Sequence, residues 1–279
     1  MRSSSGADMI IAFQGVRGAY SEDAVRSYSP NADVLECAEF IDLFEAVRSG
    51  RADLGMLPVE NSIEGSVTAA NDLLFQSDLK VIGEVMVRIR HCLIGHPEAW
   101  LEDIARVYSH PQALAQCRDL LSSRPEWQKV PAFDTAGSVR MVKERGLSEE
   151  AAIASRRAAD AYGMKVLLED VQSVKDNITR FFVLSKEGRS GRGEKTALAF
   201  TTANQPGALF DCLRAFADND VNITKLESRP WRGRAWEYVF YLDLDGDPRD
   251  QMVAKALEVL RKSTVCLKVF GSFPKAVAP

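Results

Sequence analysis

Between Asn177 and Phe182 a hydroxyl and a guanidinium, Thr179 and Arg180, enter a stretch that otherwise reads as a buried strand running on through Phe181-Phe182-Val183-Leu184. Left without partners in such a strand, the hydroxyl would cost about 1–3 kcal/mol and the charge more. Two readings are open: a polar strand edge, which Thr and Arg suit, or groups that face a ligand. Glu60-Asn61-Ser62 and the run Ser109-His110-Pro111-Gln112 to Gln116-Cys117 each follow a short apolar run and precede a helical pattern. Strand-to-helix loops of this kind line the crevice of open α/β sheets, and helix N-termini there favour anions. Asp134-Thr135-Ala136-Gly137-Ser138 is similar, with Asp134 or Thr135 as helix cap. These types and positions suit anion binding with hydrogen-bond or proton donation. His110 is an acid or base by type but precedes proline, which favours a structural role. Gly15-Val16-Arg17-Gly18 reads as a tight turn before a helix capped by Ser21; it lacks the three-glycine nucleotide fingerprint and any G-K-[ST] ending. His91, Cys92 and His96 match neither the helical metal pair nor a zinc-finger half-site, so no metal is expected.

Strands and helices must hold these groups. Short apolar runs alternate with helical patterns from Met9 to Ala154, the signature of mostly parallel sheets covered by helices. Leu79 to Ile94 exceeds the usual 5–6 residue strand and is expected to carry the chain from one α/β lobe to another. Gly188-Arg189-Ser190-Gly191-Arg192-Gly193 reads as a flexible linker. Beyond it, Thr196 to Thr201, Pro206 to Ala217, Val221 to Leu226, Trp236 to Leu244, Arg249 to Lys262 and Val265 to Phe273 give the order βαββαβ, a ferredoxin-like arrangement.

Taken in order, G-V-R-G-A-Y-S from Gly15, P-V-E-N-S-I-E-G from Pro58, S-H-P-Q-A-L-A-Q-C from Ser109 and T-R-F-F from Thr179 resemble the motifs of the prephenate dehydratase family. Gly207-Ala208-Leu209 and Glu227-Ser228-Arg229-Pro230 resemble those of the regulatory ACT domain. The resemblance implies a two-lobed catalytic region over residues 9–187, akin to type II periplasmic binding proteins with a cleft between lobes, a linker at 188–194 and an ACT domain at 195–275. It implies decarboxylating dehydration of prephenate to phenylpyruvate without a cofactor. Thr179 is then the donor to the departing hydroxyl, and Glu60 is the rival acid. Asn61, Ser62, Ser109, Gln116, Thr135, Ala136, Gly137, Arg180 and Phe181 are expected around the substrate, with Phe181 as an apolar wall. Asn204, Gly207, Ala208, Leu209, Glu227, Ser228, Arg229 and Pro230 are expected to bind phenylalanine, a feedback inhibitor, where two ACT domains meet, which implies a homodimer or tetramer.

Composition is compatible with this. A chain of 279 residues fits two domains, and 46% hydrophobic content fills both cores. With 35 Lys and Arg against 39 Asp and Glu there is no basic field for a nucleic acid. No run reaches the ~20 apolar residues of a membrane span, and Met9 to Phe13 is too short for a signal-peptide core, so a cytoplasmic protein is expected. Five scattered cysteines read as reduced, mostly buried thiols. Met1 to Asp8 leaves no room for a helical chorismate mutase segment, so the upstream isomerase is expected on another chain. Two rivals stand beside the main reading: arogenate dehydratase, with Thr135 to Ser138 the place to look, and a non-catalytic amino-acid sensor.

Overall fold

The structure, a computed structural model, describes residues 9–231, 234 and 236–279. The chain opens with β1 (Ile10–Gln14), α1 (Tyr20–Tyr28), β2 (Asp33–Cys37), α2 (Phe40–Ser49), β3 (Leu54–Asn61), β4 (Gly65–Ser66), α3 (Thr68–Gln76) and β5 (Lys80–Arg88). It continues with β6 (Cys92–Gly95), β7 (Arg106–Ser109), α4 (Pro111–Gln116), α5 (Arg118–Ser123), β8 (Gln128–Pro131), α6 (Thr135–Arg145), β9 (Glu150–Ala154), α7 (Arg156–Tyr162), β10 (Lys165–Leu168) and β11 (Ile178–Ser185). The last third is β12 (Lys195–Thr201), α8 (Ala208–Ala217), β13 (Ile223–Pro230), β14 (Tyr238–Asp245), α9 (Gln251–Ser263) and β15 (Cys266–Phe273).

Three sheets result. The first has the order β2-β1-β3-β11-β5, with β4 beside β3 and β1 parallel to β2 and β3. The second runs β10-β6-β9-β7-β8; its centre, β9, is buried along its whole length because small and apolar Ala151-Ala152-Ile153-Ala154 meet helices on both faces. The long run from Leu79 to Ile94 does divide between lobes, as β5 in the first sheet and β6 in the second. The third is the antiparallel β13-β14-β12-β15 of a ferredoxin-like domain, with α8 and α9 over one apolar core. The two short helices α4 and α5 are divided at Cys117, whose φ of −107° and ψ of 24° leave the helical range.

Contacts draw a different line from composition. One compact unit holds the chain up to Thr68, Val85–Phe181 and the last two residues; the other holds Ala69–Glu84 with Phe182–Val277. Within this second unit Tyr241 Oη donates to the Asn71 carbonyl at 3.2 Å, and Lys268 Nζ donates to the Phe75 carbonyl at 2.7 Å and to that of Ser77. The Phe75 ring meets Trp231 and Tyr241 edge-on. Residues 188–193 are not a free tether as composition suggests: Gly193 N–H donates to Asp247 at 2.6 Å, and the Arg249 guanidinium donates to the carbonyls of Ser190 and Gly191. A β-carbon on Gly271 would stand 2.0 Å from the Val81 carbonyl oxygen. Gly271→Ala is therefore expected to lower Tm by roughly 2–12 °C, the equivalent of about 1–3 kcal/mol of overpacking; an unchanged melt would mean that the strands part without penalty.

Candidate active site

Successive side chains on a strand face opposite ways. Asn177, Thr179 and Phe181 therefore share one face of the β11 segment, and all three line a cavity of about 630 Å³. Four helix starts converge on the same space. Ala19, Tyr20 and Ser21 open α1, Ser66 and Val67 lead into α3, His110 and Gln112 open α4, and Asp134 and Thr135 open α6. The N–H groups of a first helical turn lack intrahelical acceptors and carry partial positive charge. Among the described lining residues there is no Lys or Arg, so the donors offered to an anion are helix ends, amides, hydroxyls and the imidazoles of His91 and His110, beside the carboxyl groups of Glu64 and Asp134. The turn before α1 is tight because Gly18, at φ +85°, approaches α7 so closely that a β-carbon would stand 2.5 Å from Ala158 Cα. Ser155 Oγ donates to the Gly18 carbonyl at 2.6 Å. The cap of α1 is Ala19, and the expected cap, Ser21, lies inside the helix.

A chain of hydrogen bonds runs behind Thr179. Asn61 Nδ2 donates to Thr179 Oγ1 at 3.0 Å and to Asn177 Oδ1 at 2.6 Å. Asn177 Nδ2 donates to Gln116 Oε1 at 3.1 Å, and Gln116 Nε2 to Glu64 Oε1 at 3.3 Å. His91 Nε2 lies 2.9 Å from the same Gln116 oxygen, and its Nδ1 lies 2.8 Å from the Tyr20 hydroxyl. Burial lowers the His91 pKa, with the Gln116 bond opposing, and burial raises that of Tyr20 well above the ordinary phenol value.

The expected residues separate into groups. Thr179, Asn61, Gln116, Thr135 and Phe181 line the cavity. Glu60 and Arg180 do not: on the alternate positions of β3 and β11 they form an ion pair at 2.9 Å, so the guanidinium expected to hold an anion meets a carboxylate of this chain. Ser62 closes the β3 loop instead, its Oγ accepting from Ile178 N–H at 3.0 Å and donating to the Asp176 carbonyl at 3.1 Å. Ser109 is fully buried and donates to the Ile153 carbonyl at 2.6 Å, away from Gln116. Ala136, in the first turn of α6, is buried, and the Gly137 N–H, expected near the substrate, is taken by Asp134, the cap, at 2.5 Å. His110 caps α4 through Nδ1, accepting from Gln112 N–H at 3.2 Å, and also lines the cavity.

Sequence reasoning missed Tyr20, Glu64, His91 and Asn177. Asn177 was within reach, since it stands two residues before Thr179 and so shares its face. Nothing local marks His91, whose partners lie far along the chain.

In the C-terminal domain Asn204, Ala208 and Leu209 line a smaller cavity of about 180 Å³ with Trp236, Tyr238 and Phe240. Gly207 is the N-cap of α8. Glu227, Ser228, Arg229 and Pro230 are not in that lining but stand on the edge strand β13, where Ser228 pairs with Phe240 and Pro230 with Tyr238, and Arg229 and Glu227 approach at 3.8 Å.

Comparison with known proteins gives consistent matches. The family model for prephenate dehydratase matches residues 11–189, and that for the ACT domain residues 196–262. Arogenate dehydratase/prephenate dehydratase 2 of Arabidopsis thaliana is 38% identical over 97% of this chain and 74% of its own length. A prephenate dehydratase from Arthrobacter aurescens, solved in complex with L-Phe, superposes with a TM-score of 0.87 at 34% identity, covering 96% of this chain and 90% of that one. GqqA, described as a novel type of quorum quenching acylases, superposes with a TM-score of 0.88 at 38% identity, covering 95% of this chain and 97% of that one.

Proposed function

This chain belongs to the prephenate dehydratase family, with two α/β lobes of the periplasmic-binding-protein kind followed by an ACT domain, and from that premise we propose that it converts prephenate to phenylpyruvate under feedback control by phenylalanine. The observation that carries the reading is Thr179 in a cavity ringed by helix N-termini, with its hydroxyl oxygen accepting from Asn61. Prephenate is a dianion with a ring hydroxyl. The bond to the ring carboxylate breaks, carbon dioxide leaves, and the freed electron pair enters the ring, which becomes aromatic as it expels hydroxide. Aromatisation drives the step, so the protein must hold two carboxylates and stabilise the departing oxygen. Helix N-termini and the amides of Gln112 and Gln116 suit the holding, while Asn61 is engaged on Thr179 and Asn177. Thr179 suits the second task, since a hydroxyl that accepts a hydrogen bond donates a stronger one. Phe181, buried beside it, offers an apolar wall to the departing carbon dioxide.

An acylase would need a nucleophile within reach of a base. Thr179 in that role would lack the base, since Asn61 meets it with an amide N–H, which cannot take its proton. Incubation with prephenate, arogenate and an N-acyl amide in parallel tests the reading. Phenylpyruvate should form from prephenate with no metal or nucleotide added; its absence, or turnover of either alternative in its place, overturns the proposal.

Phenylalanine is the proposed effector at the ACT domain, where a pair of domains would complete the site and make the chain a homodimer or tetramer. The described residues include no helix long and apolar enough to cross a membrane, and the cytoplasm is the proposed location. Asn204 lines the small cavity and Ser228 lies on the edge strand. Asn204→Trp and Ser228→Trp should each abolish phenylalanine inhibition, a coupling of about 1–3 kcal/mol, while sparing kcat. Calorimetry showing unchanged phenylalanine binding in both variants would move the effector site elsewhere.

A further inference from the structure

We infer that His91, backed by Tyr20, is a positioning residue for Thr179: through Gln116, Asn177 and Asn61 it sets the direction in which the Thr179 hydroxyl proton points. The hydrogen-bond logic starts from two anchors. One end of the Asn61 side chain receives the N–H groups of Ile63 at 2.9 Å and Glu64 at 3.0 Å. Backbone N–H groups only donate, so this end is the carbonyl and the other end is NH₂. Both of its protons are then engaged, on Asn177 and Thr179. Asn177 must meet Asn61 with its oxygen, which turns its own NH₂ toward Gln116. Gln116 must present oxygen there. The second anchor agrees, because the other end of Gln116 faces the Glu64 carboxylate, an acceptor.

The same Gln116 oxygen faces His91 Nε2 at 2.9 Å, so Nε2 carries a proton. His91 Nδ1 is then either bare, accepting from Tyr20, or protonated, donating to the Tyr20 oxygen while Tyr20 donates to the Arg90 carbonyl at 2.7 Å. Tyr20 suits both states. The neutral form with its proton on Nδ1 alone is excluded, since it would set the Nε2 lone pair against the Gln116 oxygen. Reversal at His91 would turn the amides of Gln116 and Asn177 against their other partners and loosen Asn61. Held as it is, Asn61 occupies a lone pair of Thr179, and the O–H is left to donate into the cavity. His91 is 2% exposed; its ring borders the cavity, and the hydrogen bonds that link it to Thr179 run through Gln116, Asn177 and Asn61.

The kinetic readout rests on the dehydratase reading; the spectroscopic one does not. With three histidines in the chain, the imidazole ¹⁵N shifts of His91 are assignable in the full-length protein. A protonated Nε2 is expected, and a bare Nε2 overturns the inference. Among variants, His91→Asn ends near the position of Nδ1 and loses the Gln116 donor, while His91→Gln can place an amide N–H near the position of Nε2. H91N should lower kcat about tenfold with KM little changed, and H91Q should recover it to within about threefold, the scale of one hydrogen bond. Equal losses in the two variants, or a loss confined to KM, would reduce His91 to a filler of the core. If wild type proves inactive on prephenate, the functional proposal falls and the nitrogen shifts alone decide this one.

Discussion

Thr179→Val is expected to lower kcat by about 10²–10³-fold, the usual consequence of deleting one donor aimed at charge that develops in a transition state. Valine keeps the volume and the β-branched shape of threonine, so the strand and the bond between Asn61 and Asn177 survive and KM changes little. Such a split marks an interaction made chiefly in the transition state. Thr179→Ser restores the hydroxyl with a freer side chain and should retain most of the rate. Glu60→Gln supplies the contrast. The ion pair with Arg180 places that carboxylate outside the cavity lining, and its variant should stay close to wild-type kcat. A Val variant within about fivefold of wild type would move the donor elsewhere, with Glu64, which lines the cavity, next to be tested. Steady-state phenylpyruvate formation reads all of these.

The second large effect concerns where the chain can be cut. Composition places a linker at residues 188–194, and a chain ending at Glu187 would then be a self-sufficient catalytic piece. The contacts point the other way. Such a cut removes Phe273 from the Phe182 ring, Trp231 and Tyr241 from Phe75, and Lys268 from the carbonyls that end α3. It also removes the Lys195 ammonium, 3.4 Å from Glu84 of β5. Each large apolar side chain returned to water costs about 1.5–3 kcal/mol, against a typical total stability of about 5–15 kcal/mol. The truncated chain is expected to aggregate or to melt more than about 10 °C below the full-length protein. Size-exclusion chromatography and a thermal melt decide it, and a monomeric fragment with an unchanged Tm would show that α3 and β5 stand without the C-terminal sheet.

Much of this was readable along the chain because it depends on neighbours in sequence. The period of two puts Thr179 and Phe181 on one face, Asp134 caps the helix that follows it, and the alternation of apolar runs with helical patterns forecasts the α/β lobes and the βαββαβ domain. The motif residues that supply the hydroxyl and the amides, Thr179, Asn61 and Gln116, are evident for the same reason. What each polar group is paired with is another matter. Arg180 meets Glu60, Asn61 meets Asn177, Ser109 meets Ile153 and Gln116 meets His91, across separations of tens to more than a hundred residues. Local pattern says that a buried guanidinium or hydroxyl needs a partner but not which one, since that follows from strand order within each sheet. The same holds for α3, whose Ala70, Leu74 and Phe75 need an apolar surface without naming it. Sheet order and packing selected the C-terminal sheet, and with it the division of the chain that composition had drawn elsewhere.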